Sequence, residues 1–210
     1  MKSAYNYIGV FAWIIVFLLL VFIIQNIRKR HIKMIVMDHV RFSVKNLVLD
    51  VLEIVVWGGL LVSMSIVTFF DNPSLNDHAR ITDSVKFRPL IMTVDQDKSF
   101  YVKVNTVQSR DSKVEYTLLS DGNKITINGA NSSISDGASP LSPAASAYPF
   151  DEKVLVKMDQ NYQKAYLATY VARYKKNWRN GLGLSAGRVA TEYYLIRIPD
   201  QTFVKDQQTK

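Results

Sequence analysis

The sequence predicts two transmembrane α-helices followed by an extracytoplasmic α+β domain, an antiparallel sheet with one main helix. Three observations carry this expectation. Residues 3–27 and 54–70 contain no charged side chain, and with the apolar positions from Leu47 the second run exceeds a bilayer core of about 30 Å at about 1.5 Å per residue. A basic segment separates the two runs. Beyond residue 84 the pattern changes to short apolar alternations broken by turn residues.

The first span is expected over 1–27. Tyr5, Tyr7 and Trp13 gather toward one end, where rings favour the headgroup region. A secretory signal peptide would need a basic start and a small-residue cleavage site. Here only Lys2 precedes the apolar run, and Arg28-Lys29-Arg30 follows it directly. The connecting segment 28–46 then fixes orientation. Arg28, Lys29, Arg30, Lys33, Arg41 and Lys45 stand against the single acid Asp38, and short basic loops stay in the cytoplasm. This places the chain in the plasma membrane as a two-pass protein, with N-terminus and C-terminal domain outside. Ile32, Val36, Val40 and Val44 recur every fourth residue. That fits either a basic amphipathic helix lying on lipid or an extension of the second span.

The second span is expected over 47–70. Asp50 and Glu53 share a helix face at its inner end, a placement that suits the interface or a helix N-terminus. Gly58-Gly59, with Ser63 and Ser65, would let another helix approach closely. Asp71-Asn72-Pro73-Ser74 ends the helix, and 71–84 reads as a tether.

The remaining segment, 85–210, reads as one domain. Residues 85–94 are apolar but contain Pro89, which implies an edge strand or two pieces. Residues 100–107 alternate, and 114–119 with 124–128 flank Asp121-Gly122-Asn123, a strong hairpin turn. Residues 131–149, rich in Ser, Ala, Gly and Pro, predict a mobile loop. Residues 153–158 read as a strand, Asp159 as an N-cap, 160–177 as the one helix outside the membrane, and 191–198 as a final strand closed by Pro199.

The formal charge of +8 is concentrated in the connecting segment, because residues 71–210 carry nineteen bases and fifteen acids. A membrane surface therefore explains the charge better than nucleic acid does. The absence of cysteine excludes disulfides, thiolate metal sites and cysteine nucleophiles. His31, His39 and His78 form no ligand set, and Asp95-Gln96-Asp97 lacks the spaced oxygens of a calcium loop. No metal, cofactor, phosphate loop or dinucleotide fingerprint is expected.

Gly183-Leu184-Ser185-Ala186-Gly187 matches G-x-S-x-G, but a nucleophile elbow needs a preceding strand, a following helix and a later histidine. The last histidine is His78, so a glycine-rich turn is the simpler reading. Tyr162, Tyr166, Tyr170, Tyr174 and Trp178 recur every fourth residue. On a helix this row winds around the axis by about 40° per step. Part of it would then pack on the sheet, and part would form the best candidate binding surface. The bases Arg173, Lys175, Lys176 and Arg179 suit a solvated helix end or an anionic surface of wall polymer or lipid.

The runs Trp178-Arg179-Asn180-Gly181-Leu182-Gly183-Leu184 and Tyr193-Tyr194-Leu195-Ile196-Arg197-Ile198-Pro199-Asp200 resemble those of small uncharacterised two-span membrane proteins of lactobacilli. The resemblance implies a Gram-positive envelope and no particular activity. The functional expectation is a non-enzymatic, membrane-anchored binding or scaffold protein of the cell envelope. Its partners would be the lipid bilayer and a membrane or envelope protein, or wall polymer. The alternatives are an accessory subunit of a transport or secretion complex and, behind it, a serine-dependent envelope hydrolase using Ser185.

Overall fold

The computed structural model describes residues 3–36, 42–95, 98–107 and 113–208. The chain forms two compact units, Met1–Ser74 with Tyr174–Arg188, and Leu75–Arg173 with Val189–Lys210.

The first unit is built on two long apolar helices, α1 (Asn6–Val36) and α2 (Val44–Ser65), the latter continued by a π-helical turn, Ile66–Phe70. Both are long and apolar enough to cross a membrane. They pair antiparallel. The Trp13 indole donates to Thr68 Oγ1 at 3.1 Å, and the Trp57 indole donates to the Val16 carbonyl at 3.1 Å.

Arg28, Lys29, Arg30 and Lys33 extend α1 instead of forming a loop or a separate interfacial helix. No glycine or proline interrupts them, and Lys and Arg are good helix formers. Lys45 lies in the first turn of α2, after an extended Ser43, so the second helix takes in only the last residues of the connecting segment. Arg41 and Val40 lie outside the described residues.

Among the described residues the second unit contains ten strands and one α-helix. They are β1 (Ile81–Pro89), β2 (Thr93–Asp95), β3 (Lys98–Phe100), β4 (Val102–Val107), β5 (Lys113–Ser120), β6 (Asn123–Asn128), β7 (Ser132–Ser135), α3 (Glu152–Asn161), β8 (Tyr166–Tyr174), β9 (Val189–Arg197) and β10 (Val204–Gln208). One sheet runs β1-β8-β9-β7 and the other β10-β4-β5-β6, while β2 and β3 form a separate pair. The β5–β6 turn is built as its sequence requires, with Asp121 at φ 50° and Gly122 at φ 75°. Pro89 ends an edge strand, as a residue without an N–H should.

Five expectations are corrected. The sheets are not purely antiparallel, because β7 pairs parallel with β9 and β10 with β4. The predicted strand 153–158 is helical, and the predicted helix 160–177 has the strand β8 at its centre. Asp151, not Asp159, caps the helix, accepting from Lys153 N at 2.9 Å. Gln163 and Lys164, both at positive φ, then turn the chain into a strand whose aromatic and β-branched residues suit a pleated surface. The Ser/Pro-rich segment is ordered: it supplies β7 and a 3-10 turn at Ala145–Ala147. The tether is also shorter than 71–84, since Leu75 begins the second unit and Arg80 and Ile81 are buried.

The core lies between the two larger sheets. Leu167 and Ile196 of the first meet Val102, Leu118 and Ile127 of the second. The first sheet is buried on its other face as well. There Tyr166, Tyr170, Tyr193 and Leu195 are covered by Leu155 of α3 and by Tyr148 and Phe150.

Candidate functional site

The tyrosine row falls on a strand, where period-2 geometry sends Tyr166, Tyr170 and Tyr174 to one face. Tyr166 and Tyr170 are wholly buried. Tyr148 stacks on Tyr193 at 4.0 Å between ring centroids, and Phe150 lies 5.8 Å from Tyr170. Tyr162 is half-buried at the C-terminus of α3, its ring 5.9 Å from that of Tyr166. Tyr174 is half-buried at the end of β8, and Trp178 is exposed in the other unit. Of the expected aromatic surface, Tyr166 and Tyr170 therefore belong to an interior layer. Burial raises the pKa of Tyr166 and Tyr170, with Asp159 adding to the effect at Tyr166 and Asp83 at Tyr170.

Beside this layer sits a buried ion pair. Arg197, with no exposed surface, donates to both carboxylate oxygens of Asp159, the shortest contact being 2.8 Å from Nη2 to Oδ2. Its Nη1 donates to Ser135 Oγ and to the Ser139 carbonyl, and the Tyr166 hydroxyl donates to Asp159 at 3.0 Å. These bonds hold the serine-rich segment that composition alone marks as a loop.

An open apolar surface lies at the β2–β3 hairpin. Val94 is 70% exposed at its edge, and Ile91 and Met92 are exposed beside it. Ile91 is fixed by its N–H to the Leu119 carbonyl at 2.9 Å. A cavity of about 460 Å³ opens on one side, lined by Lys98, Ser99, Thr202 and Asp206. Another of about 320 Å³ opens on the other, lined by Lys103, Thr117, Leu119 and Lys124. Asp95 and Phe100 border both. Lys205 pairs with Asp95 and lies 5.5 Å above the Phe100 ring. The arrangement offers an apolar ridge flanked by charges of both signs, which suits contact with another polypeptide. Its only sequence signal is the run Leu90-Ile91-Met92, too many apolar residues for a turn after Pro89.

In the first unit, residues 174–188 form a loop around the short helix α4 (Trp178–Leu182). Asn177 caps it, accepting from Asn180 N at 2.9 Å, and Ser185 N donates to the Asn180 carbonyl at 2.9 Å. The Ser185 hydroxyl donates to the Gly183 carbonyl at 3.1 Å. The G-x-S-x-G stretch thus follows a helix and precedes β9, the reverse of a nucleophile elbow.

At the opposite ends of α1 and α2, Arg30 binds Asp50 at 2.6 Å and Glu53 at 2.7 Å, and His31 lies 2.9 Å from Asp50. Asn26 donates to Glu53 at 2.9 Å. The two acids are therefore partners of Arg30 across the helix pair, a role that the spacing within α2 does not show. Among the described residues no group of three or more His, Asp and Glu side chains is placed to hold a metal ion.

No curated protein and no solved structure matches the chain. A family model does match, over residues 4–205, and that family takes its name from a lactobacillus locus. The chain belongs to this uncharacterised family.

Proposed function

We propose that this is a two-pass plasma-membrane protein of the cell envelope, non-enzymatic, which displays its second unit outside the cell to bind a membrane or envelope protein. The exposed ridge of Ile91, Met92 and Val94 is the observation behind it. Apolar side chains gathered at an edge and rimmed by charge are typical of protein contact sites. A wall polymer is a poorer fit, because Tyr166 and Tyr170, at the centre of the row that would stack on sugar rings, are interior.

The orientation follows from charge. Arg28, Lys29, Arg30 and Lys33 sit at the end of α1, and Lys45 at the start of α2. The positive-inside rule assigns that end to the cytoplasm, which sends the other end of the helix pair, and the chain beyond Phe70, outside.

A photo-crosslinking residue at Ile91 in living cells should yield a discrete protein adduct that Val94→Asp abolishes. An adduct indifferent to Val94→Asp, or one matched by the same probe at Lys153 on α3, removes the hairpin as the binding surface.

A second reading is an accessory subunit of a transport or secretion complex, held through its helices. Gly58 and Gly59 favour it: a Cβ built at either meets nothing within 4 Å, so this face of α2 is open to another helix. Gly58→Leu with Gly59→Leu should dissociate such a complex while leaving the Ile91 adduct intact.

A further inference from the structure

We infer that residues 174–188 form an interfacial anchor that binds anionic phospholipid headgroups at the membrane face where α1 begins. The inference rests on the reading of α1 and α2 as membrane spans.

The first support is depth. From Gly9 to Arg28 is about 28 Å of helix, close to the thickness of a bilayer core. With Arg28 at one boundary, Gly9 stands at the other. The segment is locked at that level by backbone-to-backbone packing. A Cβ at Gly9 would lie 2.6 Å from the Leu182 carbonyl oxygen, and one at Gly183 would lie 2.8 Å from that of Val67. A Cβ at Gly181 would collide with the backbone of Tyr5. Asn6 completes the attachment in both directions, donating to the Ala186 carbonyl at 3.2 Å and accepting from Ala186 N at 3.0 Å. So α4 lies beside the first turns of α1 and the last turn of the second apolar helix, at headgroup depth.

The second support is what the segment presents outward. Its backbone is satisfied internally through Asn177 and the fully buried Asn180, whose Nδ2 donates to the Lys175 carbonyl at 2.9 Å. Trp178 is 62% exposed, and Lys176, Arg179 and Arg188 are exposed around it. Residues 174–188 contain four bases and no acid. Tryptophan favours the headgroup level, and clustered Lys and Arg favour anionic lipid. An indole among bases at this depth meets a bilayer with complementary chemistry. The large apolar side chains Phe69 and Phe70, at the end of the second helix, are exposed on the same unit.

The test uses the full chain reconstituted in vesicles of phosphatidylcholine, with or without phosphatidylglycerol. One variant keeps Trp178 alone (Trp13→Phe, Trp57→Phe), and another keeps Trp57 alone (Trp13→Phe, Trp178→Phe). Lipids brominated near the glycerol should quench Trp178 more than lipids brominated near the chain ends. Adding phosphatidylglycerol should strengthen that quenching, and Lys176→Gln with Arg179→Gln should cancel the gain. Trp57, near the middle of α2, should be quenched best by chain-end bromines. If aqueous iodide reaches Trp178 freely while Trp57 is lipid-quenched, the anchor is wrong and the spans stand. If Trp57 too is quenched by iodide and not by lipid, the spans fail and take the anchor with them. Equal Trp178 quenching in both vesicle types overturns the assignment to anionic headgroups. Should the double Phe variants misfold, the difference between the native chain and Trp178→Phe gives the same readout.

Discussion

Arg30 and Arg197 each join distant parts of one unit through carboxylates, and their surroundings differ. The Arg30 side chain retains 20% of its exposure, Glu53 23% and Asp50 10%. The Arg197 side chain retains none, and Asp159 11%. Arg30 is met by Asp50 and Glu53 of α2, and Glu53 also accepts from Asn26, because the end of a helix pair leaves water nearby. Arg197, cut off from water, has its fork filled by Asp159, Ser135 and Ser139. The difference predicts that loss of Arg30 costs less than loss of Arg197. A charge left unpaired in a core carries the whole desolvation cost, whereas one at a boundary is rehydrated.

Replacing Arg197 should therefore have the largest effect. Arg197→Met is expected to destabilise the second unit by about 3–5 kcal/mol, read as a shift in denaturant midpoint and as new proteolysis between Ser135 and Ser142. Arg197→Met combined with Asp159→Leu should recover most of the loss, since an apolar pair leaves no orphaned charge. A double variant as unstable as the single would show that packing, not the unpaired carboxylate, sets the cost.

The glycines give the next contrast. Gly9→Ala must displace the Leu182 backbone and should cost about 1–3 kcal/mol, as overpacking does. Gly58→Ala meets open space and should be neutral or slightly stabilising, by up to about 1 kcal/mol from helix propensity. Unfolding of the two variants in detergent micelles, followed by tryptophan emission, separates them.

A smaller effect is expected with pH. Burial raises the pKa of Tyr166, Tyr170, Tyr116 and Tyr194 above the ordinary phenol value of 10.0. The folded state therefore holds protons that the unfolded chain releases near pH 10. Their contribution is complete below that pH and is lost as pH rises through the folded values. Stability should fall above about pH 10, and Tyr170→Phe should flatten the slope. Phenolate absorbance followed alongside unfolding checks it; titration of these tyrosines without unfolding would contradict their burial. Arg30→Gln should loosen the helix pair less than Arg197→Met loosens the second unit, as measured by the same midpoints.

The two apolar helices, the strands around Asp121-Gly122 and the Pro89 edge are legible in the sequence because local chemistry alone dictates them. The exchange of helix and strand between 153 and 177 is not. Asp151 and Asp159 are equally good caps in isolation, and a four-residue recurrence of tyrosine suits a helix surface as well as one face of a strand. What decides between them is long-range pairing of β8 with β9, from Tyr166 opposite Arg197 to Ala172 opposite Thr191. Ordering of the serine-rich stretch is hidden for the same reason. It depends on Arg197, some sixty residues away in the chain. At the candidate site the apolar run after Pro89 is visible in the sequence, but the clefts beside it are made by β4, β5 and β10, whose proximity only the fold supplies.

The account stands or falls on which side of the membrane each end of the helix pair occupies. The chain has no cysteine, so single substitutions at exposed Lys33 and Lys153 can be labelled with a membrane-impermeant maleimide in intact, wall-stripped cells. Lys153→Cys should label at once, and Lys33→Cys only after the membrane is opened. Immediate labelling of Lys33→Cys with protection of Lys153→Cys would put the second unit in the cytoplasm and contradict the proposal.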